Sequence, residues 1–397
     1  MSTVANCTEL QGLARELSSL AVFAKLLDKP PFAPFLSMMA AEDDYALRRA
    51  HGELVHSVYR DGGDLTAMVT RAVFEDENPY VLMRAGKHTC APVIADALCH
   101  ELSVLSRFAS LTPASLAALF SVDAPSTPFA SHAVDLAAAY ETRMQDIHKH
   151  GYGIFASNAM FRLSDQATVE PVGSPDTVTM DTFIGYTEER EQILANTRAF
   201  LAGRPAANVL LYGDAGTGKS STVKAIVNSL FEDGLRLIEI RKDQLSYLPF
   251  VMGKIRQNPL HFIIFIDDLS FNKSDDCFSM LKAALEGSAS AKADNAVIYA
   301  TSNRRHIVRE TFSDREGGEV HRNDTMQETL SLSERFGMTV LFERPNKALY
   351  LTIVRTLAER YGLTVDTDEL CIKAEAFALS RGTRSARCAE QFIKSLL

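Results

Sequence analysis

Residues 213–221 read GDAGTGKSS, and Lys219 is the side chain there with the most chemistry to offer. Gly213, Gly216, Gly218, Lys219 and Ser220 satisfy G-x-x-x-x-G-K-[ST], a spacing in which glycines let successive backbone N–H groups turn inward around phosphate oxygens. Asp214, Ala215, Thr217 and Ser221 complete the same loop. Lys219 supplies a point charge for β and γ phosphate oxygens, and Ser220 a hydroxyl suited to magnesium. The motif implies a nucleotide phosphate as ligand. Alone it does not say whether the terminal phosphate is cleaved.

Two further positions could do chemistry on such a ligand. Asp267 and Asp268 end the apolar run of FIIFIDDLSF, residues 262–271. Carboxylates at the end of a buried strand are costly to desolvate unless positive charge lies near, as it would beside phosphates and metal. Asp267 is then expected to serve magnesium and Asp268 to polarise an attacking water; a helix-capping pair is the alternative. Asn303, in YATSNRRH, could hold that water by donating and accepting at once, although Ser-Asn is also a common turn. Arg304, Arg305, His306 and Arg309 make the following segment basic, for phosphate, DNA or a partner subunit. With no interleaved aromatic residues, a solvated helix face is the favoured reading. His88, Cys90, Cys99 and His100 are the one cluster of metal-ligand types, and their spacing matches no zinc pattern. The six cysteines are scattered without a CxxC and are expected as reduced thiols.

Positioning these groups requires particular elements. The runs NVLLYG, LRLIEI, HFIIFIDD and AVIYATSN, starting at Asn208, Leu235, His261 and Ala296, are almost continuously apolar, as in strands covered on both faces. Helical segments alternate with them, STVKAIVNSLFED directly after the phosphate loop, so a parallel α/β sheet is expected. The first 160 or so residues carry apolar residues at three- and four-residue intervals and read as helical, broken by PPFAPF and DAPSTPF. Residues 164–181, SDQATVEPVGSPDTVTMD, hold Pro171 and Pro175 and no helical stripe, which suits an extended connector. The organisation expected is a helical N-terminal domain (1–163), a linker (164–181), an α/β nucleotide-binding core (182–345) and a helical lid (346–397).

Composition limits the partners. The 397 residues are 46% hydrophobic and 23% charged with net charge −9, an ordinary soluble mix for two or three domains. Residues 1–180 hold 13 Lys and Arg against 21 Asp and Glu, so this half presents no basic surface for nucleic acid. DNA is a possible but not favoured ligand, and a protein partner is expected at the acidic N-terminal domain. No run approaches the ~18 apolar residues of a membrane helix, and MSTVANCTELQGLARELSS lacks a signal-peptide pattern. A cytoplasmic location without membrane association is expected.

EPVGSPDTVTMDTFIGY, NVLLYGDAGTGKSSTVKA, FIIFIDDLSF, LKAALEGS, VIYATSNRRH and SLSERFG together resemble a bacterial AAA+ P-loop ATPase family catalogued as domain of unknown function 815, akin to the replication-initiator and helicase-loader ATPases. The phosphate loop is shared by many ATPases, whereas DDLSF, ATSNRRH and SLSERFG are particular to this family. The resemblance implies ATP and Mg2+ as ligands and a parallel-sheet AAA+ core. It places Ile184, Gly185 and Tyr186 beside the adenine. It makes Arg335 the arginine finger that reaches a neighbouring subunit's γ-phosphate, and Arg387 the lid arginine that senses nucleotide, with Arg384 as its competitor. A homo-oligomer follows.

Many AAA+ enzymes carry Asp-Glu where this chain has Asp267-Asp268. The shorter Asp268 sets its carboxylate one methylene back, so hydrolysis is expected to be slow. Three functions fit: an ATP-driven remodeller or loader, a nucleotide-gated switch that hydrolyses rarely, and an ATP-dependent DNA-binding protein.

Overall fold

A computed structural model describes residues 2–120, 123–269, 280–282, 285, 293–303, 335–363 and 366–397. The chain divides into two compact units, Met1–Ser157 and Asn158–Leu397.

The first unit is helical: α1 (Ser2–Ser18), α2 (Phe32–Met39), α3 (Asp44–Arg60), α4 (Leu65–Glu75), α5 (Pro79–Ala85), α6 (Pro92–Ala109), α7 (Pro113–Ala117), α8 (Leu136–Gln145) and α9 (Ile147–His150). Asp43, Asp64, Asn78 and Asp135 start α3, α4, α5 and α8 by accepting from the otherwise orphaned first-turn N–H groups. Leu17, Phe23, Phe32, Phe35, Val58, Val69, Leu105 and Phe108 are buried in one core. Glu101 of α6 is buried, and among the described residues no cation pairs with it. Its carboxylate instead accepts from the backbone N–H groups of Ala21, Val22 and Phe23 at 2.8–3.1 Å, pinning the turn after α1.

The second unit is built on a seven-stranded sheet ordered β2-β1-β4-β5-β6-β3-β7. The strands are β1 (Met160–Leu163), β2 (Val169–Pro171), β3 (Val209–Gly213), β4 (Leu235–Glu239), β5 (His261–Ile266), β6 (Ala296–Ser302) and β7 (Met338–Phe342). All neighbours pair in parallel except β1 and β2. α10 (Thr187–Leu201), α11 (Lys219–Ser229) and α12 (Leu248–Ile255) accompany the sheet. The four apolar runs of the sequence are β3 to β6, and Val209, Leu211, Leu237, Ile263, Phe265 and Tyr299 form the core between sheet and helices. The core is a helix-flanked, mostly parallel α/β sheet.

Two segments differ from the sequence reading. β1 lies in the stretch assigned to the N-terminal domain, yet Met160–Arg162 pair with Leu237–Glu239 of the core sheet. The connector at 164–181 contains β2, which pairs with β1 from Phe161↔Pro171 to Leu163↔Val169. Pro171 is tolerated there because β2 is an edge strand, where a missing N–H breaks no ladder.

Three helices close the chain: α13 (Lys347–Arg360), α14 (Thr367–Ser380) and α15 (Ala386–Lys394). Their own core contains Tyr350, Ile353, Val354, Leu370, Ala374, Ala389 and Phe392, with Ile184 packed against it. They form the helical lid. Among the described residues no helix is long and apolar enough to cross a membrane.

Candidate functional site

Parallel strands bring their carboxyl ends to one edge of the sheet, and the loops leaving β3, β5 and β6 meet there. β3 ends at Gly213, whose φ of +131° lies in the region that favours glycine. A Cβ at this position would fall 2.1 Å from the Phe342 carbonyl oxygen on β7, so glycine is required by space as well. Gly216 and Gly218 also have positive φ, and α11 starts at Lys219 directly after them. The turn therefore ends on a helix N-terminus, where N–H groups and the positive dipole end favour anions.

Lys219 is 6% exposed and donates from Nζ to the carbonyls of Gly213 (3.0 Å) and Asp214 (2.7 Å) and to Asn303 Oδ1 (3.1 Å). Burial pulls its ammonium below the ordinary lysine value; Asp214, Asp267 and Asp268 oppose that shift, and the nearby Arg387 charge adds to it.

The acid pair is held by a residue that sequence reasoning missed. Thr301 of β6 donates from Oγ1 to Asp267 Oδ1 at 2.5 Å and accepts from the Asp268 backbone N–H at 2.9 Å. Ser220 Oγ donates to the same Asp267 oxygen at 2.5 Å. The Ser220 hydroxyl and the Asp267 carboxylate are thus adjacent hard oxygen donors, which fits Mg2+. Asp268 has φ +51°, an uncommon backbone for a residue other than glycine. Its Oδ1 accepts from Asn303 Nδ2 at 2.8 Å. Lys219, Asn303 and Asp268 consequently form one chain of hydrogen bonds.

Beside the phosphate loop is a cavity of about 630 Å³ lined by Phe183 and Ile184 from the core, Gly216–Gly218 and Ser221 from the loop, and Ile353, Leu357 and Arg387 from the lid. Phe183, Ile184, Ile353 and Leu357 supply the apolar part of its lining. Ile184, Gly185 and Tyr186 approach the lid: a Cβ on Gly185 (φ +74°) would meet Leu349 Cδ1 at 2.6 Å. Tyr186 OH donates to the Glu343 carbonyl at 2.5 Å. Arg360, also missed from sequence, latches α13 onto this segment by donating to the carbonyls of Thr182 and Asp181.

The two lid arginines separate. Arg384 forms a two-pronged pair with Glu375 at 3.0 and 2.8 Å, inside the lid. Arg387 lies at the start of α15, capped by Ser385, and its backbone N–H donates to the Gly216 carbonyl at 3.3 Å. Arg387 therefore borders the cavity and Arg384 does not.

Arg335 stands apart. It precedes β7, whose Met338 is level with Val209 at the start of β3 and whose Phe342 is level with Gly213. At about 3.3 Å per residue, β7 alone separates it from the phosphate loop by roughly 13 Å. Arg335 is at the amino end of the sheet, and the loop is at the carboxyl end. Arg304, Arg305, His306 and Arg309 lie outside the described residues.

Two solved structures of mutant RuvB from Thermotoga maritima are similar to the chain at 13% and 14% identity. Each match covers 55% of this chain and 72% of that one, with TM-scores of 0.35 and 0.34. None of the curated proteins matches the chain. Residues 156–397 match the family model described as Protein of unknown function (DUF815), and this span, more than half the chain, holds the sheet, the phosphate loop and the lid. The chain belongs to that family.

Proposed function

We propose that the protein is an ATP-binding AAA+ ATPase that hydrolyses ATP in a homo-oligomer and uses the cycle to remodel or load a protein partner bound through residues 1–157. The observation that carries this reading is the convergence of Lys219, Ser220, Asp267, Thr301 and Asn303 beside the glycine turn and the cavity.

In this reading the backbone N–H groups of residues 214–221 cradle the phosphates and Lys219 moves from its backbone acceptors onto the β and γ oxygens. Ser220 and Asp267 hold magnesium, which when bound neutralises charge on the phosphates. Asp268 accepts the proton of the attacking water, and Asn303, already bonded to Asp268, orients that water. Arg387 senses the phosphates from the lid. Arg335 lies too far from its own loop to act there, so it completes the site of a neighbouring copy. The organisation proposed is an N-terminal domain to residue 157, a core to residue 345 that takes in the β1–β2 hairpin, and a lid from 346.

One observation favours a second reading, a nucleotide-gated switch with little hydrolysis. The short Asp268 side chain is engaged by the Asn303 amide, which holds the water-polarising carboxylate to a neighbour. Phosphate release measured against protein concentration distinguishes the two. A remodeller shows turnover per subunit that rises as subunits associate. A switch binds ATP and releases almost no phosphate at any concentration.

A further inference from the structure

Arg190, on the first turns of α10, is 5% exposed, and among the described residues no carboxylate pairs with it. A buried cation normally needs compensation, because removing it from water is costly. Glu189, its neighbour in sequence, favours the charge, and the direct contacts are to neutral groups. Nη1 donates to the Gly185 carbonyl and Nε donates to Thr222 Oγ1 at 3.2 Å. The guanidinium carbon lies 4.0 Å from the Phe183 ring centre and 5.6 Å from that of Tyr186. Burial draws Arg190 down to about 10, which leaves it charged at neutral pH.

These partners belong to two different parts of the site. Phe183, Gly185 and Tyr186 belong to the segment that contributes Phe183 and Ile184 to the cavity lining, and Thr222 is on the first turn of α11 directly after the phosphate loop. Directly after Gly185 (φ +74°), Tyr186 has a positive φ (+53°), a backbone shape that in a residue other than glycine needs outside support. Arg190 provides it, and a planar fork with a stackable face can do so where a single ammonium cannot. Arg190 itself lines the cavity next to Gly218.

We propose that Arg190 is a positioning residue for the nucleoside end of the ligand. It clamps residues 183–186 to α11 and fixes the distance between the phosphate loop and the slot formed by Ile184, Ile353 and Leu357, so that the site prefers a nucleoside triphosphate to bare polyphosphate. This inference rests on the nucleotide-binding reading above and adds to it how the base end is set.

The test compares the affinities of full-length wild type, Arg190→Lys and Thr222→Val for Mg-ATP and for magnesium tripolyphosphate. Thr222→Val keeps the side-chain shape and removes one prong of the clamp together with the Thr222 Oγ1 hydrogen bond to the Gly218 carbonyl, so it serves where Arg190→Lys fails to fold. The expected result is a fall in ATP affinity of about tenfold or more for Arg190→Lys. Thr222→Val falls less, and tripolyphosphate affinity is unchanged in both. Equal loss of both ligands, or wild-type ATP affinity in both folded variants, overturns the proposal. A wild-type protein that binds neither ligand overturns the nucleotide reading together with this inference.

Discussion

Lys219 and Asn303 meet at the carboxyl edge of the sheet, ammonium to side-chain oxygen at 3.1 Å, and the amide of the same Asn303 donates to Asp268. One side chain therefore connects the cation proposed for the phosphates to the acid proposed for the water. Asn303→Ala is expected to leave ATP affinity within about threefold and to lower turnover by roughly 100-fold, the scale of losing one aligned donor in a reacting site. Isothermal titration and phosphate release measure the two quantities. A loss of affinity with unchanged turnover would place Asn303 on the ground-state ligand instead.

The depressed Lys219 gives ATP binding a pH dependence of known sign. In the free protein its ammonium loses the proton below the ordinary lysine value of 10.5, because burial disfavours the charged form. Bound phosphates stabilise that charge and raise the value again, so binding takes up a proton as pH approaches the lowered value. ATP affinity is expected to fall as pH rises through a window beginning below 10.5, and Lys219→Arg is expected to move the fall to higher pH. Titrations in buffers of different ionisation enthalpy detect the proton. A flat affinity across this window contradicts the assignment.

The two acids are expected to separate functionally. Asp267→Asn weakens magnesium-dependent ATP binding, since the mutation removes the negative charge of the donor pair with Ser220. Asp268→Asn retains binding and lowers turnover by about 100-fold or more. Affinities measured with and without Mg2+, alongside phosphate release, distinguish them. Normal hydrolysis by both variants would remove this strand end from the chemistry.

Thr301 is 2% exposed and serves both acids, so Thr301→Val leaves the Asp268 N–H without its acceptor at nearly constant volume. A destabilisation of about 1–3 kcal/mol is expected, read from the urea midpoint, together with weaker magnesium dependence. An unchanged midpoint means that the N–H finds another acceptor.

The central strands and the phosphate loop were legible because each had an unmistakable physical signature. β3 to β6 are covered on both faces and so are almost wholly apolar, and the glycines of residues 213–218 stand where the backbone needs them. β1, β2 and β7 escaped notice for the opposite reason. They are three to five residues long, and Thr339 cuts the apolar run of β7 to Val340–Phe342. Thr301 reads in sequence as one more β-former. Arg190 sits in TEERE, a charged string that resembles a solvated helix face; only folding places it against Phe183 and Thr222. Arg384 and Arg387 are indistinguishable by spacing, and the choice between them depends on Glu375 capturing the first.

The central claim is a site shared between two copies, with Arg335 supplied by the neighbour. Lys219→Ala and Arg335→Ala are each expected to lose turnover, the first by losing the charge on the phosphates and the second by losing the cation for the next site, which is worth ~10³ or more in rate. Phosphate release from mixtures of the two variants, shown to co-assemble, is the most direct measurement. The account predicts partial recovery, because a wild-type Arg335 from one copy then meets a wild-type phosphate loop on the other. Co-assembled mixtures that stay inactive, or full activity from a strict monomer of the unaltered protein, would contradict it.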